Sequence, residues 1–197
     1  MARKATMTLA EYISAHITKQ GDLPFKNETL PFKTTTHHYK KGEQVIKIGE
    51  RETGIYFVVS GIVESVMMAK QEEKIVDFFF PGQFTAAFGA YASKQSSDIN
   101  INCLTDCVIE KIPIKEFFSS QKTSVLSMQL GLHMFRKTLL LRMSKEKNFL
   151  TKNAEERYLD LMTTRPEVIQ QIPNSRVAKY LGIHPSSLSR LKKTMLK

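Results

Sequence analysis

At 197 residues, with 42% hydrophobic and 24% charged side chains, the chain has the composition of a soluble globular protein of one large or two small domains. Its two cysteines, Cys103 and Cys107, are too few for a disulfide framework and suit a reducing compartment. No apolar run is long enough to cross a bilayer, and the opening M-A-R-K-A-T-M-T-L-A lacks the apolar stretch of a secretion signal, so a cytoplasmic location is expected.

In chain order, Thr8 to Lys19 carries Leu9, Tyr12, Ile13, His16 and Ile17 at helical spacing, which predicts a short amphipathic helix ended by Gly21-Asp22. From Leu30 to about Ile114 the apolar and β-branched runs are short and divided by turn residues: V-I-K-I, I-Y-F-V-V-S, I-V-E-S-V-M-M, K-I-V-D-F-F-F, I-N-I-N-C-L and V-I-E-K-I. Strands at such spacing predict a closed or sandwiched antiparallel sheet. Within it, Tyr91 to Asp98 reads as an exposed loop or short helix. Glu72-Glu73, in A-K-Q-E-E-K, reads as a solvated hairpin tip.

Beyond Ile114 the pattern turns helical, beginning with a short helix over Lys115 to Gln121. Ser124 or Ser127 opens a long one, with Leu126, Leu130, Met134, Leu141 and Met143 apolar and Arg136, Lys137, Arg142, Lys145 and Lys147 on an exposed basic face. Such a helix is either buried in its own chain or paired with a second copy, and the near-heptad spacing favours pairing. Asn153-Ala-Glu-Glu opens the next helix, with Tyr158, Leu159 and Met162 as its core face. Arg165-Pro166 closes it, and a short helix follows around Glu167 to Gln171.

The most informative stretch is P-N-S-R-V-A-K-Y-L-G-I-H-P-S-S-L-S-R-L-K-K, residues 173–193. Asn174 or Ser175 can cap a helix whose Val177, Ala178 and Leu181 share one face. Gly182 suits the left-handed residue that ends a helix, and Ile183 turns back into the core. His184-Pro185 starts a second helix with proline at its first position and Leu188 and Leu191 on its buried face. Two short helices joined by a glycine turn predict a helix-turn-helix. Charge supports a DNA partner: residues 135–197 hold 14 Lys and Arg against 5 Asp and Glu, whereas residues 1–134 hold 15 against 14. A polyphosphate ligand requires that local excess.

Catalysis finds no support in the sequence. His37-His38 are adjacent on a strand and point to opposite faces, so they cannot share a metal while the strand is regular. No G-x-S-x-G, phosphate-binding loop or G-x-G-x-x-G occurs. Cys103 and Cys107 read as small core residues, and His133 as a core or interface residue. No catalytic residue, metal or cofactor is expected.

A β-roll, a long helix and a helix-turn-helix in this order resemble the Crp/Fnr superfamily of bacterial transcription regulators. The likeness rests on Y-K-K-G-E-Q-V-I-K-I-G-E (39–50), G-I-Y-F-V-V-S-G-I-V (54–63), F-F-P-G-Q-F (79–84), I-N-C-L-T-D-C-V-I-E-K-I (101–112) and the C-terminal stretch. It implies an α+β fold: an N-terminal antiparallel β-roll of jelly-roll type, a long dimerisation helix and a C-terminal helix-turn-helix domain. The implied divisions are a cyclic-nucleotide-binding-like effector domain over 1–122, a dimerisation helix over 123–150 and a DNA-binding domain over 151–197.

The implied partners are double-stranded DNA with a pseudo-palindromic operator, a second copy of the chain, RNA polymerase and a small-molecule effector, with no membrane partner. Arg176 and Lys179 are expected on phosphates, and Ser186, Ser187, Ser189, Arg190 and Lys193 on the recognition face. Arg190 stands where relatives also carry Arg and would meet a guanine edge. Ser186 stands where many carry Glu, which alters the half-site, and the β-hairpin wing of some relatives is expected to be absent after Lys197.

The resemblance places the effector pocket at Gly82, Phe84, Thr85, Ser96 and Ser97. Relatives that bind cyclic nucleotides show Gly-Glu and Arg-Ser around this pocket; here Ser96-Ser97 stands near the Arg-Ser pair, with Lys94 close by. Without Arg to offset its charge, tight binding of cyclic AMP is not expected, which leaves another small ligand or none. Two cysteines also cannot ligate the four-cysteine iron–sulfur cluster of oxygen-sensing relatives. The competing reading is a small-molecule-binding β-roll whose C-terminal helices make protein contacts.

Overall fold

Residues 54–60, G-I-Y-F-V-V-S, form a strand in which every position is buried. The two-residue period of a strand sends Ile55, Phe57 and Val59 to one side and Tyr56 and Val58 to the other. Two separate apolar clusters therefore meet on this strand. The computed structural model describes residues 6–17 and 30–195.

The chain begins with α1 (Leu9–His16), capped by Thr8 and Glu11, each side chain bonding the other's backbone amide. The expected stop at Gly21-Asp22 lies outside the described residues. The strands are β1 (Thr35–Tyr39), β2 (Gln44–Ile46), β3 (Gly54–Ser60), β4 (Val63–Ala69), β5 (Glu72–Phe79) and β6 (Phe84–Thr85). A short helix α2 (Phe88–Ser93) precedes β7 (Ile99–Cys103) and β8 (Cys107–Pro113). They make two four-stranded sheets, ordered β1-β8-β3-β6 and β2-β7-β4-β5, the β-roll of the expected α+β fold. His37 and His38 are consecutive on β1, opposite Ile109 and Val108.

The helices that follow are α3 (Ile114–Ser120), α4 (Val125–Thr151), α5 (Ala154–Thr164), α6 (Pro166–Gln171), α7 (Asn174–Leu181) and α8 (Pro185–Met195). The chain divides into two compact units, one built from the residues up to Ser65 with Phe79–Lys137, the other from Val66–Phe78 with Thr138–Lys197.

In the first unit, one face of β3 and β8 packs on Leu9, Tyr12, Ile13, Phe117, Leu130 and Met134. The opposite face packs on Ile46, Val63, Ala90, Ile101, Cys103 and Cys107. Both cysteines are core residues, as their sequence context suggests. His133 reaches Tyr12 Oη through Nε2 at 2.8 Å, and burial lowers its pKa. Gly61 follows β3 with a φ of +89°, and a Cβ there would lie 2.4 Å from the Asp106 carbonyl oxygen.

In the second unit, the Val66–Phe78 hairpin belongs with the C-terminal helices. Its reversal uses Lys70 and Gln71, both at positive φ (50° and 64°), the arrangement of a two-residue hairpin turn. Lys145, expected on an exposed face of α4, is instead largely buried. Its Nζ donates to the carbonyls of Ile75 (3.4 Å) and Val76 (2.5 Å) and sits 3.9 Å from the Tyr180 ring centroid. Arg165 donates through Nη1 to Asp77 (2.5 Å) and through Nη2 to the Phe78 carbonyl (2.7 Å). On α5 the core face is Tyr158 and Leu161. Leu159 and Met162, expected there, are 46% and 44% exposed, because the packed stripe passes through Tyr158 and Leu161, three residues apart.

Two stability predictions follow from these contacts. Gly61→Ala forces a left-handed alanine against a backbone oxygen and should cost at least about 2 kcal/mol in a urea melt. Burial pulls the Lys145 ammonium down to about 8, although Asp77 acts to raise it. A lysine in the unfolded chain titrates near about 10.4, so between these values the unfolded state holds more protons and stability rises with pH. Unfolding free energy should increase by about 1–2 kcal/mol from about pH 8 to 10 in the wild type, and this rise should vanish in Lys145→Met.

Candidate nucleic-acid interface

The helix-turn-helix forms from α7 and α8 as the sequence pattern indicates. Val177, Ala178, Leu181 and Leu188 are buried between the helices, with Leu188 fully so. Gly182 takes the left-handed conformation at a φ of +71°, and the Ile183 amide donates back to the Ala178 carbonyl at 3.0 Å. A Cβ at Gly182 would also press to 3.2 Å from the Phe149 ring, which would have to give by a few tenths of an ångström, so it is the left-handed φ that calls for glycine here. The His184 carbonyl accepts from Ser187 and Leu188, while its ring Nδ1 accepts from the Ser186 amide at 3.3 Å. The α7 start differs from expectation: Pro173 is the capping residue and makes no side-chain cap. Asn174 lies inside the helix, where its Oδ1 accepts from Lys192 Nζ at 2.6 Å and ties α7 to α8.

The outer face of α8 presents Ser186, Ser189, Arg190 and Lys193 to solvent, and Ser187 is half-buried at its margin. No Asp or Glu occurs after Glu167, so this face carries positive charge without a local counterion in sequence. The two cations expected on phosphates are placed differently. Arg176 Nη1 lies 2.7 Å and Lys179 Nζ 3.2 Å from the same oxygen, Oε2 of Glu73. Glu73 is therefore not the freely solvated tip residue that A-K-Q-E-E-K suggests. It sits more than a hundred residues from its partners in sequence, and no local pattern could have paired them.

Other contacts around α7 were equally hidden in the sequence. Arg157 on α5 donates to the carbonyls of Lys152 (2.7 Å) and Leu181 (3.0 Å), the second being the last residue of α7. It also lies 4.8 Å from the Phe149 ring centroid. Arg165 reaches Tyr180 Oη at 3.3 Å in addition to Asp77. Burial raises the Tyr180 pKa, so the phenol stays neutral beside Arg165 and Lys145. These contacts tie α7 to α5 through Arg157 and to the hairpin through Arg165.

The residues expected to line an effector pocket fall into three settings. Gly82 turns the chain at a φ of +82°, with its amide donating to the Val58 carbonyl. Phe84 packs on Phe57 and Tyr12, and Thr85 is buried opposite Tyr56. Ser96 bridges Arg51 through the backbone, and the Ser97 hydroxyl donates to the Ile99 carbonyl at 2.7 Å. Glu52, which sequence reasoning missed, is buried and accepts from the amides of Gly54 (2.9 Å) and Ala87 (2.6 Å), the latter at the start of α2. Among the described residues, no group of three His, Cys, Asp or Glu could hold a metal, and no helix is long and apolar enough to cross a membrane.

Along α4, Leu130 and Met134 are buried in the chain's own core, while Val125, Met128, Leu132, Phe135, Leu139 and Met143 are exposed. The exposed set recurs every three or four residues, the spacing of a two-helix seam.

Residues 36–123 match the cyclic nucleotide-binding domain family. No curated protein matches the sequence significantly. Among solved structures, the chain is similar to FixK2 from Bradyrhizobium japonicum at 17% identity, over 83% of this chain and 84% of that one, with a TM-score of 0.67. It is similar to the c-di-GMP responsive global regulator CLP of Xanthomonas campestris at 17% identity, over 83% and 86%, with a TM-score of 0.64. A protein of the Crp/Fnr family from Eubacterium rectale, assigned to transcriptional regulation, aligns at 16% identity over 96% of this chain and 83% of its own, with a TM-score of 0.64. A β-roll with the cyclic nucleotide-binding signature over residues 36–123, followed by a long helix and a helix-turn-helix, gives this chain the fold of the Crp/Fnr regulators.

Proposed function

We propose that the protein is a homodimeric, sequence-specific DNA-binding transcription regulator of the bacterial cytoplasm. The observation that carries this reading is the solvent-facing side of α8, where Ser186, Ser189, Arg190 and Lys193 lie together and acids are absent from the surrounding sequence. Hydroxyl and guanidinium donors on an exposed second helix suit the major groove, where Arg can bond both acceptors of a guanine. Ser187 sits at the edge of the same face, and Arg176 and Lys179 lie on α7, the helix that would cross the phosphate backbone.

Functionally, residues 1–122 act as the effector domain, 123–150 as the dimerisation helix and 151–197 as the DNA-binding domain. The α4 seam supports pairing with a second copy, because an exposed row of large apolar side chains has most to gain from burial against its own symmetry mate. A two-fold dimer would read a pseudo-palindromic operator with half-sites one helical turn apart. Bound there, it would act on RNA polymerase.

This reading assigns no effector to the β-roll, and it disfavours cyclic AMP. The start of α2 already holds the Glu52 carboxylate on the Ala87 amide. A cyclic phosphate brought to that helix start would meet a like charge, and Arg51, the backbone partner of Ser96, has an exposed side chain. Selection of bound duplexes from a random DNA library, followed by salt titration of the winner, tests the whole reading. A palindromic winner with a steep salt slope is the expected result; recovery of no preferred sequence would favour protein-contact helices instead.

Two variants separate the parts. Phe135→Glu places a charge in the centre of the seam and should convert the dimer to a monomer in sedimentation equilibrium, with operator affinity falling sharply. Arg190→Ala should cost about 1–3 kcal/mol of discrimination at one base position per half-site, measured against single-base operator variants.

A further inference from the structure

We propose that the tip of the β4–β5 hairpin is a built-in competitor of DNA, with the Glu73 carboxylate occupying Arg176 and Lys179 in place of a phosphate. The inference rests on the DNA-binding reading above and names how that site is regulated. One Glu73 oxygen lies within 2.7 Å of the Arg176 guanidinium and 3.2 Å of the Lys179 ammonium. An anionic oxygen held between a guanidinium and an ammonium has the chemistry of a backbone phosphate contact. While Glu73 holds these two donors, DNA must displace it to use them.

Three further features make the contact a specific device. First, no acid lies within α7 or α8, so the neutralising charge comes from a distant part of the chain. Second, the neighbouring Glu72 makes its ion pair with Lys74 at 2.7 Å on the same strand and reaches Lys179 only as a weaker, longer-range attraction. Third, the hairpin is secured without Glu73. Lys145 bonds the carbonyls of Ile75 and Val76, and Arg165 bonds Asp77 and the Phe78 carbonyl. Those anchors bring the carboxylate to α7, and its release does not require the hairpin to unfold.

The pairs are only partly buried, with side-chain exposures of 20% for Arg176, 40% for Lys179 and 39% for Glu73. A contact of that kind is strong enough to compete and weak enough to yield to a polyanion.

The test compares wild type, Glu73→Gln, Glu73→Ala and Glu72→Gln by fluorescence anisotropy on a random-sequence duplex in low salt. Both Glu73 variants should bind about three- to tenfold tighter than wild type, the range expected from removing two partly exposed ion pairs. Glu72→Gln removes the same formal charge without breaking an ion pair to α7, loses only the weaker attraction to Lys179, and should stay within about twofold of wild type. The advantage of the Glu73 variants should shrink as salt rises, because screening weakens the competing pair. Unchanged or weaker affinity in both Glu73 variants would overturn the competitor, as would an equal gain in Glu72→Gln, since net charge alone would then explain it. If no form of the protein bound any duplex, the DNA-binding reading would fail and the competitor with it. A wild type that binds while the Glu73 variants show no gain overturns the competitor alone.

Discussion

An edge strand leaves a row of backbone carbonyls that must find donors, and β5 is the end strand of its sheet. The chain meets this requirement with cations. Lys145 takes the Ile75 and Val76 carbonyls and Arg165 takes that of Phe78. Both side chains come from the helical part of the second unit, so hydrogen bonding of one strand's backbone also joins the hairpin to those helices. Tyr180 of α7 completes the arrangement, packing at a tilt against Phe78, lying under the Lys145 ammonium and accepting from Arg165. The position of α7 is thus linked to the hairpin through a few polar contacts whose geometry is narrow.

Such contacts are costly when incomplete. Arg165 and Asp77 are about nine-tenths buried, and a buried pair stabilises mainly when its remaining donors are also satisfied. Here Arg165 spends its other hydrogens on Phe78 and Tyr180, and Asp77 also accepts from the Phe78 amide at 2.8 Å. Lys145 has no carboxylate within bonding distance among its described contacts. Its depressed pKa is the consequence, with burial outweighing the attraction of Asp77. Arg165, by contrast, is held charged by Asp77 against the same burial.

What could be read from sequence alone follows the range of the interactions. The β3 pattern, the helix start at Asn153-Ala-Glu-Glu, and the Val-Ala-Leu-Gly pattern of α7 are local, and each appears in the structure where its spacing indicates. The exposed basic face of α4 was read from the same periodicity, and it fails at Lys145 because a neighbouring strand covers that position. Glu73 fails for the same reason: a charged pair at a hairpin tip is indistinguishable from a solvated one until its partners on α7 are known. Asn174 shows a subtler limit. Its side chain suits a cap, but Pro173 already has the extended backbone before the helix, and the amide oxygen is drawn to Lys192 instead. Glu52 carried no signal at all, since its role depends on two backbone amides brought together by folding.

The charge arrangement of the second unit creates a physical conflict. A surface intended for a polyanion must concentrate cations, and concentrated cations repel one another when the polyanion is absent. After Glu167 the chain supplies none of its own acids to relieve that repulsion. Lys192 is eased by the Asn174 amide and the nearby Tyr158 ring, which are neutral and leave its charge in place. Arg176 and Lys179 are eased by a full carboxylate. The difference separates two kinds of support: neutral partners hold the cationic surface in shape without cancelling its charge, whereas Glu73 stabilises the unit by satisfying the same two groups that a phosphate would bond. With Arg176 and Lys179 on phosphates, as proposed, stability of the free protein and affinity for a polyanion oppose each other at those positions, and one side chain on the β4–β5 hairpin sets the balance.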